Sequence, residues 1–373
     1  MRAFLYVQHL LGVGHLKRMA LLARALREAG AEVTLASGGA PVRDVAVDVQ
    51  LPPASAADLG FRELVDAEGK PVSGEWKRRR AGQLLDAWRR FHDAGPAGAL
   101  VLELFPFGRR QMRFELLPLL EDAQRVARRP LVVCSVRDLL QPNPAREEEA
   151  AALFARFFDR LLVHGDPQLA GFERTFGAAD RLVGKLHYTG YVVEPPAPGG
   201  AGAGEVIVSA GGGAVGARLL RAALEARPRT LLREANWRLL AGLNAADAEL
   251  RALAERAGPG VVVERHRADF RTLLGNAALS ISQAGYNTVA EILQARVRSV
   301  LVPFAAEGER EQTLRAEALA ARGVAQIVDE ASLTGESLAH AVDRAVRGPR
   351  PGADLVRLDG ARRSAELLQA WLA

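Results

Sequence analysis

Short apolar runs recur along the first half of the chain, at Phe4 to Val7, Glu32 to Ala36, Ala99 to Glu103, Leu131 to Ser135 and Arg160 to His164. Each is parted from the next by a segment whose apolar residues fall at helical spacing. That alternation predicts parallel strands joined by crossover helices. The run "EPPAPGGAGAG", Glu194 to Gly204, interrupts it, because proline and glycine at this density support neither helix nor strand. Its residues 196–204 are expected to form a linker. The pattern then restarts at Val206 to Ser209, Trp237 to Leu240, Val261 to Glu264, Leu279 to Ser282, Ser299 to Val302 and Ala325 to Val328. The expectation is an α/β chain of two Rossmann-like domains, 1–195 and 205–350. Leu367, Leu368 and Trp371 at helical spacing predict a C-terminal helix within 351–373 that packs back on the domains.

A length of 373 residues agrees with two cores, and 49% hydrophobic with 25% charged residues is ordinary for a globular protein. No stretch reaches the roughly 18 apolar residues of a spanning helix, and the N-terminus lacks signal-peptide order, so a cytoplasmic location is expected. The single cysteine, Cys134, fits a reducing compartment and excludes an internal disulfide or a cysteine metal cluster. The 49 basic and 44 acidic residues leave only +5, which does not imply a nucleic-acid partner. Basic residues do bunch at Lys77 to Arg80 and Gly108 to Arg113, beside the apolar "LFPFG" of Leu104 to Gly108. Together these read either as a patch for anionic lipid or as a solvated helix face next to core.

In open parallel sheets ligands bind beyond the carboxyl ends of the strands, so chemistry is sought there. Gly12, Gly14 and His15 follow the first strand, and Leu16, Met19, Ala20, Ala23 and Leu26 trace the buried face of the helix they open, with Gly30 as its cap. A histidine at a helix N-terminus is kept neutral by the macrodipole, as a general base requires; a polar helix-start residue is the alternative reading. Glu103 and Asp138 also lie at strand ends, as catalytic carboxylates or as turn residues. In the second half, Gly211, Gly212 and Gly213 join a strand to a helix in the manner of a phosphate cradle. The segment Leu279 to Val328 brings Ser282, Ala284, Gly285, Asn287, Thr288, Glu291, Glu311 and Gln312 to a second strand end and its helices. Glu291, one turn into its helix, could accept two hydrogen bonds from a ribose.

These residues resemble the MurG-like family 28 glycosyltransferases, of the B type with two Rossmann-like domains whose parallel sheets face a central cleft. The likeness rests on "AGYNTVAEI" with "VPFAAEGEREQ", on the G-x-G-H loop at Gly12 to His15, and on "HYTGYV" at His187 to Val192. Through "VQHLLGVGHLKR" and "FPFGRRQMRFELLPLL" the chain is most similar to a bacterial branch of predicted glycosyltransferases. The resemblance implies that Gly211, Gly212, Gly213, Ser282, Ala284, Gly285, Asn287 and Thr288 surround the diphosphate of a nucleotide sugar, UDP-linked by analogy. It implies that Glu291 holds the ribose, that Glu311 and Gln312 reach the sugar, and that His15, on the acceptor side with Gly12 and Gly14, removes the acceptor's proton. It further implies inverting transfer of a hexose or N-acetylhexosamine with no metal or other cofactor, closure of the domains, and an acceptor hydroxyl. A lipid-linked acceptor would bring peripheral contact with the inner membrane. The chain departs from the family in its shorter first glycine loop and in "AGGGA" at the phosphate cradle. A nucleotide-sugar hydrolase and a non-catalytic nucleotide-sugar binder are the rival readings.

Overall fold

A computed structural model of the chain describes residues 1–10, 12–57, 63–210, 216–242, 245–305 and 308–373. The chain divides into two compact units, the first comprising Met1–Pro167, Gly171–Val192 and Asp359–Ala373, the second Gln168–Ala170 and Val193–Leu358.

The first unit contains β1 (Arg2–Val7), α1 (Gly14–Glu28), β2 (Glu32–Ser37), β3 (Val49–Gln50), β4 (Ser55–Ala56), β5 (Leu64–Val65), α2 (Gly74–Asp93), β6 (Ala99–Glu103), α3 (Arg113–Arg125), β7 (Leu131–Arg137), α4 (Pro144–Phe157), β8 (Arg160–His164) and β9 (Leu186–Tyr188). Its seven-stranded sheet runs β3-β2-β1-β6-β7-β8-β9 with every pair parallel. Alternation along β1 explains the layers. Ala3, Leu5 and Val7 face the core that holds Leu16, Met19, Leu22 and Leu26 of α1, while Phe4 and Tyr6 face the core that holds Trp88 and Leu116 of α2 and α3. Helix α1 ends where Gly30, at φ +80°, takes the left-handed turn that lets the Ala31 N–H reach Leu26 O at 2.9 Å. Strand β9 and the short β3, β4 and β5 lie outside the runs expected from the sequence. They are two or three residues long, too short to set up a periodicity.

The second unit contains β10 (Val206–Ser209), α5 (Ala217–Ala226), β11 (Trp237–Ala241), α6 (Asp247–Arg256), β12 (Val261–Arg265), α7 (Phe270–Asn276), β13 (Leu279–Ser282), α8 (Tyr286–Ala295), β14 (Ser299–Leu301), α9 (Glu311–Ala320), β15 (Ala325–Ile327) and α10 (Gly335–Arg347). Its parallel sheet runs β12-β11-β10-β13-β14-β15. The chain then returns to the first unit as α11 (Gly360–Leu372), whose Ala365 and Leu368 are buried in the core of α1, with Leu367 and Trp371 packed beside them.

The proline- and glycine-rich stretch is a structured part of the second unit and not a free tether. The Asn276 amide donates to Gly199 O and Ala201 O at 2.9 and 3.0 Å, and Arg271 donates to Pro195 O at 2.7 Å. Gly202 sits at φ +84°, where a Cβ would lie 2.8 Å from the backbone of Leu273. Lack of helix and strand propensity therefore leaves the stretch without regular structure, while side-chain donors from α7 still hold its carbonyls.

Both sheets reverse the direction in which strands are added, the first between β1 and β6, the second between β10 and β13. At such a reversal the crossover helices leave to opposite faces and open a crevice at the carboxyl ends of the two strands. Those two places carry the candidate chemistry.

Candidate functional site

In the first unit the reversal brings together His15, from the first turn of α1, and Glu103, the last residue of β6. His15 Nδ1 lies 2.6 Å from Glu103 Oε1, and Arg18, one turn further along α1, places Nη2 2.5 Å from the same oxygen. The Arg18 Nη2 to His15 Nδ1 distance of 3.2 Å joins two donors and is no hydrogen bond, because a carboxylate at 2.6 Å makes Nδ1 the protonated nitrogen. Nε2 is then the basic nitrogen. Among the described residues it takes no hydrogen-bond partner, and the ring keeps 18% of its side-chain surface exposed while that of Glu103 is fully covered.

Burial brings the imidazolium of His15 down to about 3, with the Arg109 and Arg18 guanidinium groups acting in the same direction and Glu103 against them. Burial pushes the Glu103 carboxyl up, but His15, Arg18 and Arg109 together outweigh it and bring it to about 2. The pair at neutral pH is a neutral imidazole held by an ionised carboxylate. The chain directly after Glu103 is strained into place: Leu104 and Arg109 have φ of 68° and 58°, a region that side chains rarely occupy, and Arg109 Nε donates to Gln8 O at 2.6 Å.

Behind this pair, Ser135 Oγ lies 2.8 Å from His164 Nε2 and Thr189 Oγ1 2.9 Å from His164 Nδ1, all three side chains being buried. Burial holds His164 neutral, down to about 3. Asp138, expected as a catalytic carboxylate, is 1% exposed and accepts from the Leu139 N–H at 2.7 Å and the Tyr191 hydroxyl at 2.9 Å. It serves as a turn residue, for the physical reason that its oxygens are turned inward. The basic run also divides. Arg78 and Arg79 are exposed, but Arg80 is fully buried, bonded to Glu115 at 2.8 Å, Gln8 at 2.5 Å, Pro52 O at 2.9 Å and Gly38 O at 3.1 Å. Leu104 and Phe105 are buried, and Phe107 packs its ring edge on Phe172 and Phe176. Leu104 and Phe105 are thus core, while Phe107 is half-buried against it.

In the second unit the reversal pairs Ser209 of β10 with Ser282 of β13. Gly211, Gly212 and Gly213 lie outside the described residues. Gly216, just before α5, must be glycine, since a Cβ there would stand 1.9 Å from that of Ala210. Gly285 is the N-cap of helix α8, where among the described residues no side-chain cap is made and an added Cβ would meet open space. An uncapped helix N-terminus at a strand reversal suits an anion. Asn287, Thr288 and Glu291 are half-buried on this helix, and Ser282 is buried with its hydroxyl unbonded among the described residues.

Gln312 joins the two loops of this end: its Oε1 accepts from the N–H of Ala284 at 3.0 Å and of Phe304 at 3.2 Å. Both lone pairs are used, which fixes the amide and leaves its NH2 as the end able to donate outward. Ala284 is consequently not a phosphate contact, because its N–H goes to Gln312 and its carbonyl accepts from Arg315 Nη1 at 2.8 Å. Glu311 is not a sugar contact, being 2% exposed and paired with the buried Arg315 at 2.6 Å. Neither Arg18 nor Arg315 was given a role from the sequence. The available signal was their spacing, three residues after His15 and four after Glu311, which puts each pair on one helix face.

Residues 207–353 match the glycosyltransferase family 28 C-terminal domain. A UDP-N-acetylglucosamine–N-acetylmuramyl-(pentapeptide) pyrophosphoryl-undecaprenol N-acetylglucosamine transferase of Synechococcus sp. (strain CC9902) is 32% identical over 202 residues, 53% of each chain. The chain thus spans about half the length of that relative, and about a quarter of that of several other transferases of the same name. Among solved structures, the calicheamicin glycosyltransferase CalG4 aligns over 100% of this chain and 98% of its own with a TM-score of 0.65 at 17% identity. MurG of Acinetobacter baumannii aligns over 99% and 100% with a TM-score of 0.60 at 15% identity. The fold is that of the B-type glycosyltransferases. The chain is similar to MurG over part of its sequence and in fold. Among the described residues, no helix is long and apolar enough to cross a membrane, and no group of three or more His, Cys, Asp or Glu side chains is placed to hold a metal ion.

Proposed function

We propose that the chain is a nucleotide-sugar glycosyltransferase that moves a hexose or N-acetylhexosamine from a UDP-linked donor to a hydroxyl acceptor, by inverting displacement without a metal ion. The observation that carries this reading is the His15 and Glu103 pair at the strand reversal of the first unit, with Nδ1 protonated by its contact and Nε2 left as a base. As the acceptor oxygen attacks the anomeric carbon opposite the diphosphate, its proton passes to Nε2. The bond from that carbon to the phosphate oxygen breaks, and the nucleoside diphosphate leaves with the electron pair. The imidazolium so formed lies against an ionised carboxylate, so Glu103 stabilises the product of proton transfer more than the resting state. Glu103 itself is covered and acts through His15.

In the second unit the departing diphosphate is held by the N-terminus of α8 with Gly285, Asn287 and Thr288, and by the glycines 211–213. Pre-aimed donors of this kind contribute a few kcal/mol each, about 3 per group. Glu291 takes the ribose hydroxyls, and the fixed amide of Gln312 donates to the sugar. The printed names of the sequence relatives make UDP-N-acetylglucosamine and an undecaprenol-linked sugar the first donor and acceptor to try. An acceptor of that kind would place the protein at the cytoplasmic face of the membrane.

Thermal-shift titration with UDP-, GDP- and dTDP-sugars identifies the donor, since a ligand of the native state raises the melting temperature. His15→Ala is expected to keep that shift while turnover falls about 10²- to 10⁴-fold, the usual share of a general base. Full turnover in this variant removes the base assignment. Release of UDP at the same rate with and without acceptors would make the chain a hydrolase instead.

A further inference from the structure

Arg18 is fully buried in the interior of the first unit, one turn beyond His15, and the proposed mechanism gives it no role. A guanidinium in such a place costs desolvation, and its hydrogen bond to Glu103 falls on Oε1, the very oxygen that receives His15 Nδ1–H. Two cationic candidates thus compete for one carboxylate oxygen. Only one positive charge is needed to neutralise it, and arginine, which does not deprotonate in proteins, supplies it permanently. A carboxylate alone beside a buried imidazole draws a proton onto the resting ring, whereas a carboxylate whose charge is partly offset orients the ring, leaves it neutral at rest and still favours it once a proton arrives.

We propose that Arg18 is a positioning residue that neutralises Glu103, so that His15 is held in the Nδ1–H tautomer yet stays uncharged and able to accept a proton. The inference rests on the reading of His15 as the base, and it deepens that reading. The charged groups acting on His15 are Glu103 from β6, Arg18 from its own helix and Arg109 from the segment after β6. Burial lowers His9, after β1, below the ordinary histidine range and holds His164, at the end of β8, down to about 3. Arg109 works in the same sense as Arg18, but its hydrogen bond goes to Gln8 O and not to the shared oxygen. Arg18 therefore has the direct contact.

The first test is on the native protein. Imidazole carbon and nitrogen chemical shifts of His15, identified by its loss in His15→Ala, are followed from neutral to acid pH. The neutral Nδ1–H form is expected to persist to about pH 5 or below, well under the ordinary histidine midpoint. An ordinary midpoint overturns the proposal without reference to activity. The second test compares Arg18→Met and Arg18→Lys. The methionine variant, whose carboxylate is left to His15 alone, is expected to move the ring's titration and the acidic limb of the kcat/KM profile upward together, by about one to three pH units. The lysine variant, keeping the charge, should return both toward native. A uniform loss of rate across pH in Arg18→Met, with the ring's titration unmoved, would make Arg18 a packing residue and overturn the proposal. If the ring titrates as expected but His15→Ala retains full turnover, the electrostatic inference stands and the assignment of His15 as base fails.

Discussion

At the residue scale, the functional pair differs from its parts. A histidine at a helix start and a glutamate at a strand end each have a bland reading, and the sequence held both readings open. Contact at 2.6 Å between them, with the carboxylate covered and the second ring nitrogen without a partner among the described residues, supports the proposed roles. Glu103→Gln keeps the size of the side chain but removes the charge that selects the tautomer and stabilises the imidazolium. Turnover is expected to fall by at least about 10²-fold with the donor-induced thermal shift preserved, as the orienting acid of a catalytic pair does when made an amide. Retention of most of the rate in steady-state assays would assign Glu103 to packing. Asp138, by contrast, was as good a candidate by position as Glu103, and only the direction of its oxygens, toward Leu139 N and the Tyr191 hydroxyl, takes it out of the chemistry.

At the scale of elements, a buried network ties α2 and α3 to β1, the strand that precedes His15 in the chain. Arg80 of α2 pairs with Glu115 of α3, while Tyr6, on β1, bonds to both groups and Gln8, just beyond β1, accepts from Arg80. Gln8 leads into the segment that delivers His15, and its carbonyl also receives Arg109. Arg80→Met leaves Glu115 as an unmatched buried charge, and chemical denaturation should show a loss of about 3–5 kcal/mol. Adding Glu115→Leu should recover much of that loss, because a buried pair replaced on both sides removes the desolvation cost with the attraction. A double variant no more stable than the single one would place the energy in the other hydrogen bonds of Arg80. The run "KRRR" could not disclose this, since a helix repeats every 3.6 residues and one of four consecutive cations must fall on an inner face whatever the charge of its neighbours.

At the scale of the whole molecule, the buried neutral histidines couple the fold to acid. His15 and His164 are both held down to about 3 against an ordinary 6.5, so the unfolded chain binds more protons than the native one between those values. Stability from this source is complete above pH 6.5 and is lost as pH falls toward 3. Glu103 adds its own loss lower down, from its ordinary 4.5 toward about 2. Urea midpoints should therefore fall between pH 7 and pH 5, before the carboxylate contributes, and His164→Leu should flatten that dependence relative to its own value at pH 7. An equal slope in native protein and variant would show that His164 is not buried neutral.

Much of the architecture was legible in the chain, because it rests on local periodicity: eleven expected strands coincide with β1, β2, β6, β7, β8 and β10 to β15, within a residue or two at the ends. The glycine at position 30 and the C-terminal helix followed from the same local rules, a left-handed cap and a stripe of apolar residues. Strand order, the reversals between β1 and β6 and between β10 and β13, and the sharing of one carboxylate oxygen by His15 and Arg18 were decided only in three dimensions. The physical reason is range. Helix and strand patterning act over a few neighbouring positions, whereas a hydrogen-bonded pair joining residues 88 apart in sequence exists only once parallel strands have set their ends side by side.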